Sequence, residues 1–251
     1  MEYTEKKPWG IDLAVLCVFF VRPDTFAQVF EQVRKARPRQ LFLYQDGPRE
    51  GRDSDVENIR RCREIAVNGI DWDCEVYRNY QESNVGCVPS MYNAITWMFS
   101  HVEKGMILED DIVASSSFFP FAKELLDKYE YDTRIFTIAG MNHLDVYQDE
   151  TADYFFSPRS AIWGWATWKR CIDLFDKEYS FMDDPHAMEQ LRLQVEAFDE
   201  KVKTCRWHKS TGKAYFETII WNTKTTNHML DIVPSRNLTS NIGVGADGTH
   251  G

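Results

Sequence analysis

Alternating strands and helices in the first half of the chain predict an α/β fold with a mostly parallel, doubly wound sheet flanked by helices. Two observations carry this. Residues 13–21, Leu-Ala-Val-Leu-Cys-Val-Phe-Phe-Val, are apolar without interruption, as in a central strand covered on both faces. Met106-Ile107-Leu108 is a second apolar run that leads directly into Glu109-Asp110-Asp111. It is too short for a helix, so it reads as a strand with three carboxylates at its carboxyl end, where open α/β sheets place their ligands.

The elements follow in order. Arg22-Pro23 ends the first strand, and Asp24 or Thr25 is the expected cap of a helix reaching Ala36, with Phe26, Val29, Phe30 and Val33 at helical spacing. Residues 40–44 make a second strand closed by the turn Gln45-Asp46-Gly47-Pro48. Ser54 is the expected cap of the next helix, residues 74–80 form a third strand, and Pro89 opens a helix with Met91, Ala94, Ile95, Met98 and Phe99 on one face. Beyond the acidic strand, residues 118–131 are expected to be helical and 134–139 extended. An aromatic run follows, with Trp163, Gly164 and Trp165 at its centre. Residues 183–203 read as one charged amphipathic helix, 214–230 as another, and 232–234 as a short strand. The last residues, 241–251, hold four glycines and end on Thr249-His250-Gly251.

Composition bounds the function. A chain of 251 residues with 43% hydrophobic and 14% aromatic content can bury the core of a single domain, read here as a half spanning 1–112 and a second half spanning 113–251. A net charge of −10 argues against nucleic acid as partner. Six cysteines without CxxC or zinc spacing fit reduced thiols of a cytoplasmic protein. No signal peptide is expected behind Glu2, Glu5, Lys6 and Lys7, and no apolar stretch approaches the roughly 20 residues that span a bilayer. The basic run at residues 34–39 is either a solvated helix end or a contact with anionic lipid.

Three adjacent carboxylates repel one another, and a hard divalent cation that also holds a substrate phosphate is the usual compensation; the alternative is a solvated acidic turn. The tryptophans around Gly164 are either core or a flat wall for a sugar. The Gly-rich end is either a loop over phosphates, with His250 completing the site, or solvated chain.

Taken together, these pieces resemble a nucleotide-sugar glycosyltransferase of the GT-A fold, and more narrowly the N-acetylglucosaminyltransferase I type and the bacterial surface-polysaccharide transferases similar to it. The residues that carry the likeness are the first strand ending in Arg22, Tyr44-Gln45-Asp46-Gly47, Leu108-Glu109-Asp110-Asp111, Ser117-Phe118-Phe119, Trp163-Gly164-Trp165, Tyr215-Phe216-Glu217-Thr218 and Thr249-His250-Gly251. The resemblance implies that Asp111 ligates Mn²⁺ (or Mg²⁺), which bridges the diphosphate of a UDP-sugar, while Glu109 and Asp110 bond the sugar and ribose. It places Asp46 and Arg22 on the uridine and Ser90 where the family has a nucleotide-contacting histidine. Thr249 and His250 close on the pyrophosphate, and Trp163, Gly164 and Trp165 face the acceptor. Glu217 stands where the family has an aspartate and is the candidate general base.

The implied reaction is single displacement with inversion, in which a hexosyl or N-acetylhexosaminyl group moves to a glycan or lipid-linked acceptor. Bacterial surface polysaccharide is the expected product, made in the cytoplasm or at the inner membrane face. The rivals are a sugar-phosphate nucleotidyltransferase, which wants a Gly-rich loop where this chain has Phe20-Val21-Arg22-Pro23-Asp24-Thr25, and a non-catalytic carbohydrate- or nucleotide-binding module. Neither the sugar, the acceptor nor the oligomeric state follows from the residues.

Overall fold

In the computed structural model, which describes residues 6–147 and 152–243, an eight-stranded sheet runs in the order β3-β2-β1-β4-β8-β6-β9-β7. Its first half is parallel: β1 (Ile11–Phe19) lies between β2 (Pro38–Gln45) and β4 (Lys104–Glu109), and β3 (Glu75–Tyr80) forms the edge. Seven of the nine residues of β1 are buried, which is what an uninterrupted apolar run requires when helices cover both faces. The crossovers are α1 (Pro23–Ala36), α2 (Asp53–Gly69) and α3 (Cys87–Phe99). Strand order reverses after β3, so the right-handed crossover rule sets α3 on the face opposite α1 and α2. That reversal opens a crevice between the carboxyl ends of β1 and β4, the usual ligand position in open α/β sheets.

The second half is mixed. After β5 (Ile112–Ala114), α4 (Phe118–Lys128) and β6 (Ile135–Ala139), the chain passes through β7 (Tyr154–Ser157) to β8 (Trp165–Trp168), α5 (Lys169–Ile172), α6 (Pro185–Gln194), α7 (Phe198–Thr211), α8 (Phe216–Thr226), β9 (Leu230–Pro234) and β10 (Thr239–Asn241). β8 is antiparallel to both β4 and β6, and β6 is parallel to β9. β5 and β10 form a separate antiparallel pair that carries the end of the chain back to the acidic strand. One hydrophobic core extends through both halves.

Three local expectations are corrected. Arg22 and Arg52, not Asp24, Thr25 or Ser54, hold the N-cap positions of α1 and α2, and neither helix has a side-chain cap. Pro23 at the first helical position supplies the start of α1 instead, since its fixed φ and missing N–H cost nothing there. The helix expected over 183–203 is two helices. Val195 is extended and Ala197 left-handed (φ 51°), and the break lets Leu191 of α6 close on Phe198 and Val202 of α7. Burial of those side chains outweighs the local preference for a continuous helix.

In the basic run, Arg34 is bonded to Glu31 and Asp71, and Arg39 lies against Asp12 and Glu75. Those charges are largely answered within the protein. All six cysteines are free thiols. Among the described residues no helix is long and apolar enough to cross a membrane.

Candidate active site

The β1–β4 crevice gathers four of the charged residues that the sequence singles out, Arg22, Glu109, Asp110 and Asp111. Val18 of β1 is in register with Glu109 of β4, so the residues that follow each strand meet. The Phe20 backbone N–H donates to Asp110 Oδ2 at 3.0 Å. Arg22 Nη1 donates to Asp111 Oδ2 at 2.9 Å and lies 3.6 Å from Asp110 Oδ1. Asp110 is buried and its carboxyl is pushed up to about 6, by loss of solvation first and by Asp111 as well, while Arg22 and the Phe20 N–H act in the opposite sense. Glu109 is pushed up to about 8, again by desolvation first and then by Asp111, Asp110 and Glu217. Three carboxylates thus share a poorly solvated crevice in which Arg22 supplies only part of the compensating charge.

Glu217 enters from the other half of the chain. It lies in the first turn of α8, exposed to solvent, where the positive end of the helix dipole favours a carboxylate. Its charge reaches both Glu109 and Cys87. Cys87 opens α3, and its thiol is pushed up to about 11, by desolvation and then by Glu109, Glu217 and Asp110.

β10 brings in the last described residues. The Ile242 N–H donates to the Asp111 backbone carbonyl at 2.9 Å, and a Cβ on Gly243 would stand 2.1 Å from Asp111 Oδ2. Only a glycine lets the chain pass the carboxylate so closely. Thr249 and His250, expected over the pyrophosphate, lie outside the described residues.

Asp46 is bound differently from a residue waiting for a ligand. It is 5% exposed, and its carboxylate accepts from the N–H groups of Gly47, Val85 and Gly86 and from Asn84 Nδ2, at 2.9–3.0 Å each. It clasps the loop after β2 to the loop before α3; a uracil would have to share or displace one of these donors. Ser90 is buried in α3, and its hydroxyl and that of Tyr44 have no hydrogen-bond partner among the described residues.

Trp165 is core: 1% exposed, paired with Ile107 and Ala139 in the middle of the sheet. Trp163 is 39% exposed. Gly164 between them has φ +73°, and its carbonyl accepts from Gly140 N. Of the three expected acceptor-facing residues, only Trp163 presents a ring to solvent.

Two contributors have roles here that the sequence motifs do not reveal. Gln45 is wholly buried; its Nε2 donates to the Phe20 carbonyl and its Oε1 accepts from Arg63 Nε, which props the β1 end from β2. Asn84 sits in a loop that reads simply as a turn. The neighbouring Asp46-Gly47 and Val85-Gly86 pairs signal tight backbone there, without showing that one serves the other.

Among the described residues, no three His, Cys, Asp or Glu side chains converge closely enough to cage a metal. The donors present are hard oxygens, which suits the other mode open to Mg²⁺ or Mn²⁺, with one or two carboxylates completed by water and substrate phosphate.

No protein-family model matches this sequence, and no curated protein does. Among solved structures the chain is similar to an inositol-1-phosphate CTP transferase from T. maritima (10% identity, 96% of this chain and 94% of that one, TM-score 0.43). It is also similar to mouse xyloside xylosyltransferase 1 (10% identity, 86% and 81%, TM-score 0.39) and to 4-diphosphocytidyl-2C-methyl-D-erythritol synthase from Anaerococcus prevotii (10% identity, 70% and 77%, TM-score 0.34). At these values the likenesses assign no activity, and the argument for function rests on the site.

Proposed function

We propose that this protein is a metal-dependent, inverting glycosyltransferase that moves a hexosyl or N-acetylhexosaminyl group from a UDP-sugar to a hydroxyl of a glycan or lipid-linked acceptor, in bacterial surface-polysaccharide synthesis. The observation that supports it most is the gathering of Glu109, Asp110, Asp111 and Arg22 at the carboxyl ends of β1 and β4, the sheet's switch point, within electrostatic reach of Glu217 from the second half of the chain. Asp111 is the residue that would hold Mn²⁺ or Mg²⁺; the ion would neutralise the departing diphosphate as a Lewis acid. Arg22, already beside Asp111, would also bind diphosphate oxygens. Glu109 and Asp110 would orient the sugar and ribose hydroxyls. Thr249 and His250 remain candidates for the pyrophosphate on the resemblance alone.

In the step itself, the acceptor oxygen forms a bond to the anomeric carbon. The bond from that carbon to the β-phosphate oxygen breaks, and UDP leaves with the electron pair. The acceptor's proton passes to the Glu217 carboxylate. A positioned base of this kind contributes about 10² to 10⁴-fold.

The nucleotidyltransferase reading is weakened by the chain after β1. A phosphate cradle there needs free backbone N–H groups, but Phe20 N–H is bonded to Asp110 and Pro23 has none.

The test is UDP release across a panel of UDP-sugars with Mn²⁺, comparing wild type with Asp111→Asn. One donor should turn over, at least about 100-fold more slowly in the variant or without metal. NMR of the product should show inversion. Absence of donor binding and turnover overturns the reading, and retained configuration overturns the single displacement.

A further inference from the structure

Between residues 201 and 215 the chain carries five cations, Lys201, Lys203, Arg206, Lys209 and Lys213, and no carboxylate, in a protein of net charge −10. Lys209 is paired with Asp183, and Lys201 lies over the Trp221 ring. Lys203, Arg206 and Lys213 are exposed and have no ion pair among the described residues. Lys203, Arg206 and Trp207 stand at i, i+3 and i+4 on α7 and so share one face.

Trp207 is 57% exposed, a large ring left in water on a cationic helix. Its centroid is 5.5 Å from that of Tyr215 and 5.0 Å from that of His208. His208 is buried and stacks on Tyr215 at 3.6 Å with the planes 5° apart, which fixes the tyrosine in place. Tyr215 is the N-cap residue of α8, two residues ahead of Glu217, and Lys213 is two residues ahead of Tyr215. The rings are therefore tied to the element that carries the candidate base.

We propose that Trp207 and Tyr215, flanked by Arg206 and Lys213, form the acceptor subsite, and that the acceptor is a saccharide bearing a negative charge, as a phosphate or a carboxylate. This rests on the glycosyltransferase reading and deepens it. An aromatic face suits the C–H face of a pyranose, whose hydroxyls stay in water, and the unanswered cations suit the anion. The burial of Trp165 leaves Trp163 alone of the ring wall expected on the acceptor side, and Trp207 with Tyr215 supplies a pair of rings at the start of the helix that carries Glu217. A cationic helix with one tryptophan also suits an anionic lipid surface, but a membrane contact has no use for a second ring held rigidly at the base of the catalytic helix.

The test is a ligand-observed NMR titration of the full chain with glucose 1-phosphate, glucuronic acid and methyl glucoside, alongside sedimentation with phosphatidylglycerol vesicles. The two anionic saccharides should bind wild type more tightly than methyl glucoside. Trp207→Ala should weaken them at least about tenfold, Trp207→Phe should restore most of the loss, and Arg206→Glu with Lys213→Glu should abolish the anionic preference. Thermal melts confirm that the variants fold. Preference for the neutral glycoside, equal binding by Trp207→Ala, no saccharide binding, or a vesicle contact that Trp207→Ala alone abolishes overturns the proposal. Binding of UDP with Mn²⁺ is measured on the same wild-type sample. If UDP binds and saccharides do not, the subsite fails and the transferase reading stands; if UDP does not bind, that reading fails with it.

Discussion

Lys224→Met is expected to destabilise the protein severely while leaving its packing volume nearly unchanged. Lys224 of α8 is 7% exposed and its Nζ is paired with the carboxylate of Asp231 in β9, which is wholly buried. Among the described residues the remaining side-chain partner of Asp231 is Thr137, whose hydroxyl donates to Oδ1 at 2.8 Å. Methionine matches the lysine stem but leaves a buried carboxylate with one hydroxyl donor. Removing one member of a buried pair costs about 3–5 kcal/mol. At roughly 2–4 °C per kcal/mol for a chain of this size, the melting midpoint should fall by roughly 6–20 °C. Urea unfolding followed by tryptophan fluorescence gives the free energy directly. The double variant Lys224→Met with Asp231→Leu, which removes both charges, should recover most of the loss. A single-variant loss below about 1 kcal/mol, the range of an exposed pair, would refute the premise that the pair is desolvated.

Asp46→Asn should lower both stability and UDP affinity, because an amide has one acceptor oxygen for a site where four donors converge. Loss of affinity with an unchanged melting midpoint would show instead that Asp46 acts on the nucleotide alone. Gly164→Ala should cost roughly 1–3 kcal/mol from its positive φ, with more from a Cβ 2.7 Å from Thr239 Cγ2, read as a lower urea midpoint. Asp71 is held down to about 2 from an ordinary 3.8 by Arg34 and then Lys7. A depressed carboxyl stabilises above its unfolded value, so this contribution is whole above about pH 4 and is lost as pH falls toward 2. The protection of the Lys7 and Asp73 amides, whose backbones bond around it, should fall over that window once exchange rates are divided by the intrinsic rate at each pH, and protection independent of pH there would exclude the linkage.

The parallel half of the sheet was legible in the sequence because its signals are local. An apolar run long enough for a doubly covered strand, a Pro at its end and carboxylates at the end of a second strand each carry their meaning within a few residues. The strands β1 to β4, their crossover helices and the acidic crevice follow from such runs and from the handedness of crossovers. Arg22, Glu109, Asp110 and Asp111 likewise stand out in the sequence as candidates for a site, since each stands where a strand stops.

The second half depended on contacts between segments far apart in the chain. Whether Trp165 is wall or core is decided by β8 inserting antiparallel between β4 and β6, which no property of residues 163–168 specifies. Asp46 reads as a strand-end ligand until Asn84, Val85 and Gly86 arrive from another loop and take up its oxygens. The break at Val195 and Ala197 reflects a packing gain among Leu191, Phe198 and Val202, while the local charge pattern suits a continuous helix. Glu217 likewise comes within electrostatic reach of Glu109 only when α8 packs against α3 of the parallel half. Local patterning determines which segments are strands and where they end, whereas side-chain burial and pairing are settled by the competition among all segments for the same core and the same hydrogen-bond partners.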